Sequence, residues 1–463
     1  MSVLALETLQ VAGLLDKNDK AVDVSEFEPK VLLEKLDYYR NTRISQAGKD
    51  AETNANASDD LAALVSSVSA RNGPQMLLPS CFVYNRLYTN DALTKFARPT
   101  SDLSKTHSSW LGMNPDGPPN LTSVTDALRS IELLAPLIRI GALTVLPIEE
   151  LHAPPTDSLP IFYSEDSFLS EVPEHVRDFV HANAIINEVA PGPEGNGLLI
   201  FDHPPKAPTR GISVRLSDDI PVVNNPFYLL METEIIEKID ESHLRMAQKL
   251  DWDTHPDQEL YNAWVNQSVN RTIINRINDV SLEIAHATHL KAVYVTESHF
   301  EAELCGMSFD SPRPHSDRIT AVNFLNANAP YLRIDDPSVL AKLRVDNPRL
   351  FERWQQSLLG IVHELNGADE SFEDRAKQLL EKEVQPQIDE INQALIKLRG
   401  GIAGSTLLAL GTIGFALLSS ATLPLAAVLG LGVLGASGKA MPSVAEYLSK
   451  RRGPAFVWSK LAK

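Results

Sequence analysis

Apolar residues recur at helical spacing through the first forty positions, most clearly in "VLLEKLDYYR" (31–40). The opening "MSVLALETLQVAGLLDKNDK" has no basic region ahead of its apolar stretch and carries Glu7 inside it. It reads as a short amphipathic helix rather than a signal peptide. The polar stretch "AGKDAETNANASDD" (47–60) predicts a linker, and a further helical segment is expected after it. "CFVYNRLYTND" (81–91) is aromatic and branched enough for a strand that ends at Asn90-Asp91.

A Ser-, Pro-, Gly- and Asn-rich stretch, 100–120, predicts a long loop. In "SVTDALRSIELLAPLIRIGALTVLP", Val124, Leu128, Ile131, Leu134 and Ile138 share one helix face. Gly141 supplies the cap, and a strand, "LTVLP", follows. Residues 190–225 are expected to be irregular around one apolar run, "LLIF" (198–201). Asn225-Pro226 and Asn347-Pro348 each carry the signature of a helix start, and residues 257–290 read as helix. "AVYVT" (292–296) is a strand candidate. A helix over 370–399 closes this part, with Pro386 set to kink it. Strands and helices do not alternate cleanly in this reading, so the expected class is a helix-rich α+β fold.

Then the pattern changes. From Gly400 to Gly438 there are 39 consecutive positions without a charge. Two apolar arms, "IAGSTLLALGTIGFALL" (402–418) and "LAAVLGLGVLGAS" (425–437), flank "SSATLP", which carries turn chemistry. Each arm is slightly short of the ~20 residues needed to span a bilayer. Arg399 and Lys439 bound the run, so a hairpin with both ends on one face fits better than a single span. The apolar face is expected from Leu407, Leu408, Leu410, Ile413, Phe415, Leu417 and Leu418, then Leu423, Leu425, Val428, Leu429, Leu431, Val433 and Leu434. Gly404, Gly411, Gly414, Gly430, Gly432 and Gly435 would let helix backbones approach closely in lipid. Beyond the run, Lys450, Arg451, Arg452 and Lys460 interleave with Phe456 and Trp458, the composition of an interfacial anchor on an anionic leaflet. The competing reading is an apolar hairpin buried at the centre of a helical domain.

Composition bounds the rest. A chain of 463 residues with 43% hydrophobic and 22% charged residues is globular in character. Its net charge of -18 argues against coating nucleic acid, which needs a basic face. The charge is uneven: after Gly400, six Lys and Arg face only Glu446, so the preceding body is more acidic than the total. Two cysteines, Cys81 and Cys305, make no disulfide framework and read as buried thiols of a reduced compartment.

Two nucleotide motifs lie in the charge-free run and neither holds. Gly430, Gly432 and Gly435 spell G-x-G-x-x-G, but no strand precedes them and Glu446 comes too early for a ribose-binding acid. Before Gly438-Lys439 a Walker loop would need glycine where Val433 stands, and Ala440 replaces the Mg-binding hydroxyl. No nucleotide or other cofactor is therefore expected. His286 and His289 share a helix face, with His299 further on, and are the candidate metal ligands; H-E-x-x-H is absent. There is no G-x-S-x-G nucleophile motif.

"RLYTNDALTKF" (86–96) and "LKAVYVTESHF" (290–300) resemble the opening strand and the late strand-T-x-D segment of PIN-type nucleases. The resemblance implies a divalent metal held by clustered carboxylates, with Asp91 and Glu297 as the catalytic candidates. Ser298 stands where that family has Asp, and the two segments are a small part of the chain.

The organisation expected is a soluble body over 1–368 with a sub-boundary near 190–225. A linking amphipathic helix (369–399), a hydrophobic helical hairpin (400–438) and a basic aromatic tail (439–463) follow. The expected function is that of a non-enzymatic effector or sensor on the cytoplasmic face of a membrane, of the layout seen in bacterial defence and toxicity. Its partner would be the lipid bilayer, with a protein partner or self-association besides. A metal-dependent nuclease and a soluble scaffold with a buried hairpin are the alternatives.

Overall fold

The computed structural model describes residues 3–55, 62–66, 84–98, 119–152, 173–192, 197–217, 226–238, 244–290, 292–296, 330–332, 336–353 and 410–412, with isolated positions at 77–78, 81, 300–301, 304, 356–357, 378, 382, 386–387 and 390. Helix α1 (Leu4–Ala12) ends at Gly13, whose φ of 69° lets Gly13 N donate to Gln10 O and Leu14 N to Leu9 O. Helix α2 (Pro29–Ala55) packs on α1 and sends Tyr39 and Arg43 into the interior. It runs through much of the stretch predicted as linker. Ala, Lys and Glu are good helix formers, and polarity alone does not end a helix.

Strands β1 (Ala62–Val65), β2 (Arg86–Asn90) and β3 (Leu143–Leu146) lie side by side. Helix α3 (Leu121–Arg139) joins the last two, and the short helix α4 (Ile148–His152) follows β3. Asn120 caps α3 by accepting from Ser123 N. The stripe Val124, Leu128, Ile131, Leu134 and Ile138 is buried as its spacing predicts. Gly141 (φ 74°) closes the helix through Gly141 N to Ile138 O and Ala142 N to Leu137 O.

Helix α5 (Glu174–Asn183) leads into an antiparallel sheet of β4 (Ala184–Pro191), β5 (Leu198–Ile200), β6 (Gly211–Leu216) and β7 (Phe227–Leu229), in the order β5-β4-β6-β7. Within the region predicted as irregular, the apolar run is strand β5, and β6 is a further strand that was not anticipated. The helix predicted at Asn225-Pro226 is replaced by edge strand β7. Pro226 needs no N–H there, its carbonyl accepts from Val214 N, and Phe-Tyr-Leu favours extended backbone. A two-stranded ribbon, β8 (Glu232–Lys238) with β9 (Leu244–Lys249), follows.

The long helix α6 (Gln258–His289) then touches β1, α5 and β6 before the chain enters β10 (Val293–Val295). It therefore bridges the two sheets, and their buried residues form one continuous core. Strand β10 pairs parallel to β1, which gives a four-stranded parallel sheet in the order β10-β1-β2-β3. The mixture of helices and sheets agrees with the expected α+β character. The parallel sheet, with β2-α3-β3 as a strand-helix-strand unit, was not anticipated. Ala62–Val65, expected to be helical, is a central strand, because a run buried on both faces has no alternation to read.

Near the end, β11 (Pro330–Leu332), α7 (Pro337–Asp346) and β12 (Leu410–Thr412) are described. Helix α7 packs on α3 and is capped by Asp336, which accepts from Ser338 N. Strand β12 is antiparallel to β11. Leu410 and Gly411, predicted in a helical arm, are therefore extended. The rest of the predicted hairpin, the basic tail and most of 369–399 lie outside the described residues. Among the described residues no helix is long and apolar enough to cross a membrane.

Candidate functional site at the carboxyl edge of the parallel sheet

In an open parallel sheet, chemistry collects beyond the carboxyl ends of the strands, at the point where strand order reverses. Here the chain adds β2 and β3 on one side of β1, then returns to add β10 on the other. The residues just past the strand ends are Ser66 (β1), Asp91 (β2), Pro147 (β3) and Thr296 (β10). Backbone pairing continues through two of them, with Ser66 N donating to Val295 O at 2.8 Å and Asp91 N to Leu146 O at 2.7 Å.

Asp91 is buried, as is its partner Tyr39, whose hydroxyl donates to Asp91 Oδ2 at 2.6 Å. Leu93 N donates to Oδ1 at 3.1 Å, and Arg43 Nε lies 3.8 Å from Oδ2. Arg43 also donates to Val145 O at 2.7 Å, so one α2 side chain spans β2 and β3. Burial pushes the Asp91 carboxyl above its ordinary range, although Arg43, Tyr39 and Leu93 N pull the other way; Glu150 adds to the rise. Desolvation outweighs the Arg43 attraction, whose Nε contact to Oδ2 is long. The Tyr39 hydroxyl is held well above its usual value, first by burial and then by the Asp91 charge.

Glu150 of α4 is gripped from two sides. Arg40 reaches its Oε2 at 2.7 Å and Arg98 its Oε1 at 2.6 Å. Arginine carries its charge at any physiological pH and suits such paired contacts. Together Asp91 and Glu150 fasten α2 and the turn after β2 to the carboxyl ends of β2 and β3.

A second cluster sits at the β1/β10 junction. Ser66 Oγ donates to Thr296 Oγ1 at 3.3 Å, and Thr296 donates to Glu301 Oε2 at 2.5 Å. The Tyr294 hydroxyl donates to Glu283 Oε2 at 2.9 Å and lies 3.4 Å from Glu301 Oε2. Arg276 of α6 pairs with Glu301 at 3.4 Å and lies over the Phe300 ring, itself stacked on Phe179. The Ser66 and Thr296 hydroxyls thus lead to the Glu301 carboxylate.

The sequence candidates fall as follows. Asp91 is at the strand end as predicted, inside an ionic network. His286 is buried on α6, and His289 belongs to the same helix; Glu297 and His299 lie outside the described residues. Among the described residues no group of three or more His, Cys, Asp or Glu has a metal-holding arrangement. Cys81 is buried, and burial pushes its thiol up to about 12, so it is not a poised nucleophile. Sequence reasoning missed Tyr39, Arg43, Glu150, Glu283 and Glu301, because polar residues on helices read as solvent-facing unless a partner is known. Comparison with protein-family models, with curated proteins and with solved structures finds no match.

Proposed function

We propose that this protein is a non-enzymatic effector or sensor that acts on a lipid bilayer. In this reading an acidic α+β body carries a C-terminal charge-free segment that inserts as a short hairpin. The observation behind it is the run of 39 uncharged residues bounded by Arg399 and Lys439 and followed by a basic aromatic tail. The body is compatible with a platform role, since the carboxylates at its sheet edge are engaged by internal Tyr, Thr and Arg partners.

The test is partitioning of the full chain between buffer and vesicles rich in phosphatidylserine. Binding is expected, and Leu408→Arg with Leu429→Arg should weaken it strongly, because an Arg at the centre of an inserted helix costs about 2.5–3.5 kcal/mol. A full chain that stays monodisperse in buffer beside those vesicles would sink the proposal and favour the soluble scaffold.

A metal-dependent nuclease is the second reading, favoured by the position of Asp91 at the carboxyl end of a parallel strand. Cleavage of single-stranded nucleic acid by the full chain with Mn²⁺, lost in Asp91→Asn with folding retained, would support it. Equal cleavage by both chains would remove it.

A further inference from the structure

The charge-free run enters the described structure at one place. Strand β12 lies antiparallel to β11, with Pro330 opposite Thr412, Tyr331 opposite Gly411 and Leu332 opposite Leu410. A helical arm and this ladder are mutually exclusive for the same three peptides. The helix rises ~1.5 Å per residue and bonds within itself, whereas the strand rises ~3.3 Å and bonds to its neighbour.

We infer that the β11–β12 pairing is an autoinhibitory contact: β11 holds part of the first arm as a strand, and insertion requires β12 to leave β11. The inference rests on the lipid-inserting reading above. Two properties suit the pair to this role. In water, β11 gives the backbone groups of an apolar segment their partners, and a bilayer core would force them to bond within a helix instead. A three-residue, two-stranded ladder is marginal in water, so a membrane can compete for the segment. Gly411 at its centre brings no side chain to strengthen the strand.

The register supplies the test. In the full chain, Tyr331→Cys with Gly411→Cys puts two thiols directly opposite each other, within ~4.5–5.5 Å between Cβ atoms, close enough for a disulfide after a small adjustment. Mild oxidation should form that bond, mapped by mass spectrometry against Cys81 and Cys305. The oxidised chain should bind phosphatidylserine vesicles at least about tenfold more weakly than the reduced one, since a locked state removes the competent population. Reduction should restore binding. As a second variant, Tyr331→Pro weakens the ladder from outside the run and should raise vesicle binding severalfold.

A missing crosslink with vesicle binding intact overturns the contact alone. So does a crosslink that leaves binding unchanged. A crosslink in a chain that binds vesicles in neither state overturns the lipid-inserting reading, and the inhibitory role with it.

Discussion

Asp91 illustrates how a single buried carboxylate can be costly and structurally necessary together. Its ion pair with Arg43 is long and its environment dry, so neutral surroundings alone would favour the protonated acid. Removing it is worse than keeping it, because Tyr39 and Arg43 would lose their buried acceptor. Asp91→Ala should therefore cost about 3–5 kcal/mol in urea unfolding. A loss under 1 kcal/mol would show that the site relaxes and that the network is incidental.

The sign of its pH dependence follows from the same burial. A carboxyl raised in the folded state binds its proton at higher pH than it does when unfolded. Its contribution to stability therefore grows as pH falls through the folded value, and is complete below the ordinary value of 3.8. Between neutral pH and pH 4, the stability difference between the natural chain and Asp91→Asn should move in favour of the natural chain. Movement the other way would mean that Arg43 and Tyr39 dominate over burial. Gly211 poses a steric question instead: a Cβ there would meet Val189 O at 2.5 Å and the Trp252 ring at 3.0 Å. Gly211→Ala should lose about 1–3 kcal/mol and shift Trp252 fluorescence. An unchanged emission spectrum would place the ring elsewhere.

At the scale of elements, the seam between α7 and β2 depends on one cation. Arg344 donates to the carbonyls of Cys81, Tyr84 and Asn85, the last two at 2.8 Å, and lies against Phe351. Those carbonyls belong to the segment that leads into β2, so α7 is tied to the entrance of the central strands. Arg344→Met keeps the stem and loses the fork; it should cost about 2–4 kcal/mol, since hydrogen bonds to charged groups contribute ~1.5–3 kcal/mol each and are not additive. Hydrogen exchange should rise at β2 before it rises at β6. Uniform exchange across both sheets would show that the tie is not local.

Elements differed in how legible they were. Helix α3 was readable because its apolar stripe and its Gly141 stop agree. Strand β10 was readable from its branched and aromatic run. Strand β1 was not, since Ala62, Ala63, Leu64 and Val65 are all buried and a continuous apolar run fits helix or strand equally. Strands β4 and β6 were hidden by the Pro and Gly around them, and the Asn-Pro at 225–226 pointed to a helix because its cap signature is local while β7 is held by β6.

For the whole molecule, the charge asymmetry sets the conditions under which the proposed membrane binding should occur. The proposed anchor is basic and its target anionic, so raising salt from 50 to 500 mM should weaken vesicle binding while leaving a residual apolar component. Binding indifferent to salt would assign the attraction to the apolar run alone. Vesicles of phosphatidylcholine alone should bind less well than phosphatidylserine vesicles at low salt, through the same Coulombic contribution.

The sequence by itself determined the quantities that composition and period can carry. These are the helical stripe of α3, the strand at Val293–Val295 and the uncharged run. Tertiary structure alone decided that the first sheet is parallel, because its fourth strand joins β1 from more than two hundred residues away and no local pattern records that pairing. It likewise decided that Asp91 meets Tyr39 and Arg43, and that Glu301 meets Thr296 and Arg276. All of those side chains are polar in the sequence; in the fold they are buried, or partly buried in the case of Arg276, and only the fold supplies the partner that offsets the cost of burial.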